Sequence, residues 1–244
     1  MINNDKQMSV FDHLDELRWR LIVSLLVIVI SMAISYRYVP LVLKSFARPV
    51  GRLVFLSPFE AFWVELKIAL FLGGYLAGPI VFYQIWRFVE VGLYRREKRN
   101  ALFLSMLSFI FFTMGAGFCY TLVLPFGIKF LLNYQTEFLI PMISFAKYFT
   151  FVSTLLFSFG IIFQLPLIIA VVSRLGIISP DFLIKQWRLV VLGIFIIAAA
   201  LTPGPDVFSQ LLMAGPLLLL YLVSIIIAKI VYPNRDKPEP KKEF

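Results

Sequence analysis

Apolar residues come along this chain in long runs interrupted by charge or by Pro and Gly, and six of the runs read as helices. They fall at about 21–36, 62–87, 101–124, 147–173, 189–201 and 207–228. A helix crossing a hydrocarbon core of ~30 Å needs about 20 apolar residues. Stretches such as 102–112 are apolar on every side. That excludes a β-barrel, whose strands alternate apolar and polar over about ten residues. The pattern predicts an all-α, polytopic membrane protein with six transmembrane helices in a single membrane domain over 1–230, followed by a charged, flexible tail over 231–244.

The fifth run is short. Only 13 residues separate Arg188 from the breaker run Thr202, Pro203, Gly204, Pro205, about 20 Å of helix at 1.5 Å per residue. Such a span is met by local thinning of the bilayer or by packing against longer neighbours, and a thinned membrane is expected on that side. Ahead of the first run, Phe11, Leu14, Leu17 and Leu21 recur at helical spacing behind Ser9 and Asp12. They predict a separate amphipathic helix at the interface, about 9–20. Ser57 with Pro58 and Glu60, and Ser179 with Pro180, carry the marks of helix starts. Gly74 and Gly78 form a GxxxG on span two, read as a packing contact within one molecule rather than a dimer face. Asp12, Asp15 and Glu16 precede the first run and no small-residue cleavage site follows it, so the first helix is expected to be retained rather than cleaved as a signal peptide.

Composition agrees: of 244 residues, 60% are hydrophobic and 15% charged, with a mean hydropathy of +0.88. Soluble domains carry roughly 45–50% and about 25%, so little chain is left for one here. The net charge of +9 becomes informative once it is divided by side. Arg37, Lys44, Arg48, Arg52, Lys67, Lys129 and Lys147 fall on one side, and the other sixteen of the 23 Lys and Arg on the side of the two termini. The positive-inside rule then puts both termini in the cytoplasm, or in the stroma if the membrane is a thylakoid.

Several chemistries are missing from the pattern. There is no phosphate-binding GxxxxGK[ST] loop and no dinucleotide fingerprint, so the chain is not expected to consume ATP. A single histidine, His13, and a single cysteine, Cys119, supply neither a zinc ligand set nor a disulfide framework. No GxSxG elbow occurs, and no histidine stands inside a span. The chain therefore reads as a non-enzyme with no cofactor, no metal and no nucleic-acid partner. Among intramembrane polar residues Gln164 stands out, two positions before Pro166. It either bonds a carbonyl freed by a proline kink or marks a functional position at bilayer depth. On the terminal side, Glu16 and Glu97 are carboxylates set among basic residues, with Glu90 nearby. They are either part of a solvated charged face or a pair able to grip two guanidinium groups, which pair with carboxylates bidentately as Lys cannot.

Five blocks, in order, carry a resemblance: FDHLDELRWRL from Phe11, SPFE from Ser57, YQIWRFVEVGLYRREKR from Tyr83, FGIIFQLP from Phe159 and TPGPDVFSQ from Thr202. The chain resembles the TatC family, the receptor core of the twin-arginine protein translocase, over about residues 8–230. Val91, where a proline is common, and Gln164, where many members carry Glu, depart from the pattern. The Gln form is similar to cyanobacterial and plastid members, which makes a thylakoid location an expectation beside the bacterial inner membrane. The resemblance implies a concave, glove-like six-helix bundle that binds twin-arginine signal peptides and nucleates assembly for export of folded proteins driven by the proton-motive force. It implies twin-arginine precursor proteins, small single-span subunits of the TatA and TatB type, the lipid bilayer and further copies of the same chain as partners. Carried over by position, Glu16 and Glu97 match the acidic residues that bind the arginine pair. Arg18, Phe88 and Pro49 match positions of signal-peptide contact or receptor structure, Gln164 the polar position of span four, and Asp206 and Gln210 a connection that meets partner subunits. The competing reading is an ion-coupled solute transporter with Gln164 and Asp206 as its polar path. Against it stand the missing inverted repeat and the scarcity of carboxylates at the midplane.

Overall fold

A computed structural model of the chain describes residues 10–51, 53–91, 101–132, 142–201 and 207–233. Among them lie ten α-helices: α1 Val10–Ser35, α2 Val39–Ala47, α3 Pro58–Val91, α4 Ala101–Phe118, α5 Leu124–Leu132, α6 Phe145–Ile162, α7 Leu165–Arg174, α8 Pro180–Lys185, α9 Trp187–Leu201 and α10 Val207–Val231. Five helical stretches are long and apolar enough to cross a membrane: His13–Ala47, Pro58–Val89, Ala101–Lys129, Phe145–Arg174 and Met213–Val231. The sixth apolar helix, α9, has 15 residues, about 22 Å, and is the short fifth span that the sequence predicts.

The separate interfacial helix is not seen. Residues 10–20 run straight into the first span as one helix, α1, because neither Gly nor Pro interrupts the chain between Val10 and Ser35. Spans three and four, by contrast, are subdivided, and proline is the cause each time. Pro125 lacks the N–H that an α-helix would bond to Thr121, and the chain ahead of it widens into a π-helical turn, Cys119–Val123. Pro166 stands just past the break between α6 and α7, where the Gln164 N–H bonds the Ile161 carbonyl at 2.9 Å instead of that of Gly160. Both expected helix starts are present: the Ser57 Oγ accepts from the Glu60 N–H at 3.3 Å, and the Ser179 Oγ from the Phe182 N–H at 3.2 Å. At the end of α7, Gly176 takes φ +73°. Its N–H bonds the Ser173 carbonyl and the Ile177 N–H the Val172 carbonyl, a Schellman closure that needs a glycine there.

The described residues group into two compact units, one reaching to Thr113 and including Ile128–Ser153, the other Met114–Gly127 with the residues from Thr154 onward. In the first, α1 and α3 run antiparallel in backbone contact. A Cβ on Gly73 would stand 2.5 Å from the Met32 nitrogen and 2.6 Å from its Cα, and the buried Ser35 hydroxyl donates across to the Ala69 carbonyl at 3.1 Å. Gly78 seats the Phe109 ring of α4, whose atoms would lie 2.8 and 2.9 Å from an added Cβ, whereas Gly74 has nothing within 4 Å. The GxxxG therefore does serve packing within the molecule, but through Gly78 alone, and the glycine that admits α1 is Gly73. α3 is fastened to α4 by Trp86 Nε1 donating to Ser108 Oγ at 2.6 Å and Ser105 Oγ to the Pro79 carbonyl at 2.9 Å.

In the second unit, α10 packs on α7 and α9, and its Tyr221 hydroxyl donates to the Leu183 carbonyl of α8 at 2.7 Å. Gly115 of α4 lies against Phe159 and Phe163, 2.6 Å from the Phe159 carbonyl as measured from an added Cβ. Large apolar side chains on the outer faces, Leu25, Ile30, Leu102, Phe103, Leu192 and Ile226 among them, are exposed, as helices that meet lipid require.

Because a methyl group at position 73 meets backbone and one at 74 meets nothing, Gly73→Ala should lower stability by about 1–3 kcal/mol or more. Gly74→Ala should be neutral or slightly stabilising. Thermal unfolding of the two variants in detergent checks this, and equal losses would mean that α1 is not seated on Gly73.

Candidate functional site

The antiparallel register of α1 and α3 carries residues from distant parts of the chain to each end of the pair. Ser35 and Met32 lie beside Ala69 and Gly73. Further along, Arg20 meets Gln84 and His13 meets Phe88. The last two contacts build the end at which Glu16 sits.

Glu16 and Arg20 are one helical turn apart, a spacing that places them on the same face. Arg20 donates from Nε to Glu16 Oε1 at 3.0 Å and from NH2 to the same oxygen. From NH1 it donates at 3.0 Å to Gln84 Oε1 on α3. The side chains of Arg20 and Glu16 are only 15% and 18% exposed. The second carboxylate oxygen, Glu16 Oε2, is buried and has no hydrogen-bond partner among the described residues. One turn earlier the His13 ring stacks on Phe88, centroids 4.3 Å apart and planes 16° off parallel. Arg18 is exposed, two residues beyond Glu16 and so on another face of α1.

Of the other expected site residues, Pro49 lies in the turn after α2, where the Gly51 N–H bonds the Ala47 carbonyl at 2.9 Å. That turn belongs to the far end of α1 and α3. Gln164 is buried in the other unit, and its Nε2 donates to the Gly160 carbonyl at 3.4 Å, the carbonyl that its own backbone N–H has left. Gln210, also there, donates from Nε2 to the Phe195 carbonyl at 3.0 Å and ties the first turns of α10 to α9. Glu97 and Asp206 lie outside the described residues. The structure thus gathers Glu16 and Phe88 at one end of the helix pair and puts Pro49 at the other. Two participants, Arg20 and Gln84, were not singled out from the sequence. The Glu16–Arg20 spacing was a usable signal, whereas Gln84 becomes visible only through the register.

At the far end of α3 a second carboxylate is bound differently. Glu60, on the turn before the apolar run that begins at Phe62, accepts from the Ala146 N–H at 2.9 Å and the Ser144 hydroxyl at 2.8 Å through Oε1. Through Oε2 it accepts from the Leu56 N–H at 2.7 Å. Beside it the two loops pair as a short parallel bridge, Val54 with Ser144. Hydrogen bonds from the Ala146 and Leu56 N–H groups, with smaller help from the Ser144 hydroxyl and the Ser57 N–H, hold the Glu60 carboxyl below the usual glutamate range.

A model of the TatC family, described as Sec-independent protein translocase protein, matches residues 12–216. The Sec-independent protein translocase protein TatC of Carboxydothermus hydrogenoformans is 44% identical over 241 residues, which are 97% of this chain and 99% of that one. TatC of Synechocystis sp. is 38% identical over 226 residues, 92% of this chain and 89% of the relative. A crystal structure described as the twin arginine translocase receptor TatC superposes with a TM-score of 0.78 at 38% identity, covering 90% of this chain and 99% of the other.

The donors around Glu60 favour its ionised form, so their contribution is present above the ordinary glutamate range and is lost as pH falls through the lowered value. Thermal stability should therefore drop as pH falls below the ordinary glutamate range. Glu60→Gln should remove that part of the pH dependence and, at neutral pH, speed amide exchange at Leu56 and Ala146. An unchanged pH profile in this variant would show that the two loops are held by other groups.

Proposed function

The chain belongs to the TatC family of Sec-independent protein translocase proteins, and on that premise we propose that it is the membrane receptor for twin-arginine signal peptides. In this reading Glu16 and Glu97 take the two guanidinium groups, and the apolar segment of the signal lies along the lipid-facing helices. The loaded receptor gathers small single-span subunits of the TatA and TatB type and further copies of itself, and the proton-motive force drives passage of the folded cargo. Both termini, and the Glu16 end of α1 with them, lie on the cytoplasmic or stromal side, in keeping with the basic residues concentrated there.

One observation carries the proposal: Glu16 already accepts a guanidinium through one oxygen while its other oxygen is buried without a partner among the described residues. A carboxylate held in that state has the geometry and the unmet demand to receive a second guanidinium. Phe88, stacked on His13, forms an apolar wall one turn away, and the exposed Arg18 shapes the charge of the entry. Pro49, at the opposite end of the pair, acts through the outer turn and not through the arginine pair. Gln164 keeps its helix break satisfied, and Asp206 and Gln210 belong to the contact with partner subunits.

Charge-assisted hydrogen bonds to a carboxylate contribute about 1.5–3 kcal/mol, roughly 10- to 100-fold in affinity. Glu16→Ala or Glu97→Ala should weaken binding of a twin-Arg signal peptide by that factor and leave a twin-Lys control nearly unchanged. Titration of fluorescent peptides against the purified chain reads this directly, and equal losses for both peptides would remove the assignment.

A further inference from the structure

We propose that Arg20 is a resident arginine that occupies half of the Glu16 carboxylate at rest, that Gln84 keeps this occupancy to half, and that a signal arginine must displace Arg20 to bind. The inference rests on the reading of Glu16 as a receptor carboxylate and adds a regulatory step to it. Its basis is the asymmetry of the contact. A guanidinium facing a carboxylate squarely makes two parallel bonds, one to each oxygen. Arg20 instead directs both Nε and NH2 at Oε1 and leaves Oε2 buried with no partner among the described residues. Its third donor, NH1, is engaged at 3.0 Å by the Gln84 amide oxygen from α3.

The pull from α3 has a consequence for the pair. With NH1 held on Gln84, the guanidinium is restrained from turning, and closing the fork would require the Glu16 carboxylate to turn instead, so the internal ion pair stands incomplete. An incomplete pair is displaceable. A guanidinium arriving from outside satisfies Oε2 first and then completes the fork on Oε1 as Arg20 retires, still attached to Gln84. At rest the Glu16 and Arg20 charges cancel, so the site does not gather cations indiscriminately. The apparent affinity for a signal arginine is then the intrinsic affinity reduced by the fraction of time Glu16 is free of Arg20.

Two other roles for Arg20 make opposite or different demands. If Arg20 merely oriented Glu16, removing it would weaken signal binding. If it acted only through its charge, Arg20→Lys would behave like the original protein. A resident arginine predicts a gain in both variants, since Lys keeps the charge but lacks the fork.

The experiment is titration of the full chain, in lipid nanodiscs, with a fluorescent signal peptide bearing Arg-Arg and a control bearing Gln-Gln. Arg20→Gln should tighten Arg-Arg binding by roughly three- to tenfold and leave the Gln-Gln control where it was. Arg20→Lys should tighten it by a smaller factor, and serves alone if Arg20→Gln does not fold. Gln84→Leu frees Arg20 to close on both oxygens and should weaken Arg-Arg binding, an effect that vanishes in the Arg20→Gln background. Weaker or unchanged binding in both Arg20 variants, or a Gln84→Leu effect that persists without Arg20, overturns the proposal. Glu16→Gln separates the two levels. If it leaves Arg-Arg binding unchanged, the receptor reading of Glu16 falls and the resident arginine with it. If it weakens binding while the Arg20 variants show no gain, only the resident arginine falls.

Discussion

In the unit that carries Glu16, the absence of one side chain sets the arrangement of the rest. Gly73 lets the backbone of α1 rest on that of α3 at Met32, and a contact that close fixes both the spacing and the register of the two helices. Once Met32 lies over Gly73, helical geometry carries Arg20 to Gln84 and His13 to Phe88. Hydrocarbon offers helices no hydrophobic reason to associate, so close approach of small residues and a few hydrogen bonds must supply it. The Ser35 hydroxyl on the Ala69 carbonyl supplies one such bond beside the glycine.

The other unit meets the bilayer's demand for satisfied backbone in another way. Its helical segments are interrupted at Pro125 and Pro166, and at the second the Gln164 N–H leaves the Gly160 carbonyl for that of Ile161, a loss that must be made good inside a bilayer. The Gln164 side chain takes up that Gly160 carbonyl at 3.4 Å, and near the other break the Thr121 hydroxyl donates to the Gly117 carbonyl at 2.8 Å. Gln164 is thus used where it stands, and a neutral amide suffices for that bond. The short α9 has its own support from Gln210 of α10, so a helix of about 22 Å is held by its neighbour as well as by the membrane.

Much of this was legible in the sequence because it is written in local terms. Apolar runs and the Ser57 and Ser179 caps depend on residues a few positions apart, and the structure reproduces them. What depends on facing was not legible. Gly73 and Gly74 are adjacent, and spacing with Gly78 favours the second, yet only the first looks toward α1. Gln84 is one amide in an apolar span until the register brings Arg20 to it. The interfacial helix was expected to stop where charge gives way to apolar residues, but that boundary changes a helix's surroundings and not its hydrogen bonds, so α1 continues through it. Part of the expected site, Glu97 and Asp206, falls outside the described residues.

The carboxylates of Glu60 and Glu16, at opposite ends of the α1–α3 pair, are held in different ways. Glu60 and Gln84 are 24 residues apart on one helix, about 36 Å, so Glu60 and the Glu16 that Arg20 links to Gln84 occupy opposite ends. Glu60 accepts from three donors at 2.7–2.9 Å spread over both oxygens, which leaves it little to offer a ligand. Its bonds join the loop before α3 to the start of α6, and that is a sufficient account of it. Glu16 has all its described bonds on one oxygen. A buried acceptor left without a donor is costly, and a fold rich in hydroxyls and amides could have filled it, as Ser144 does for Glu60. That Oε2 has no partner among the described residues, beside an arginine whose bonds fall on Oε1 and on Gln84, is the physical ground on which we propose recognition for Glu16 and construction for Glu60.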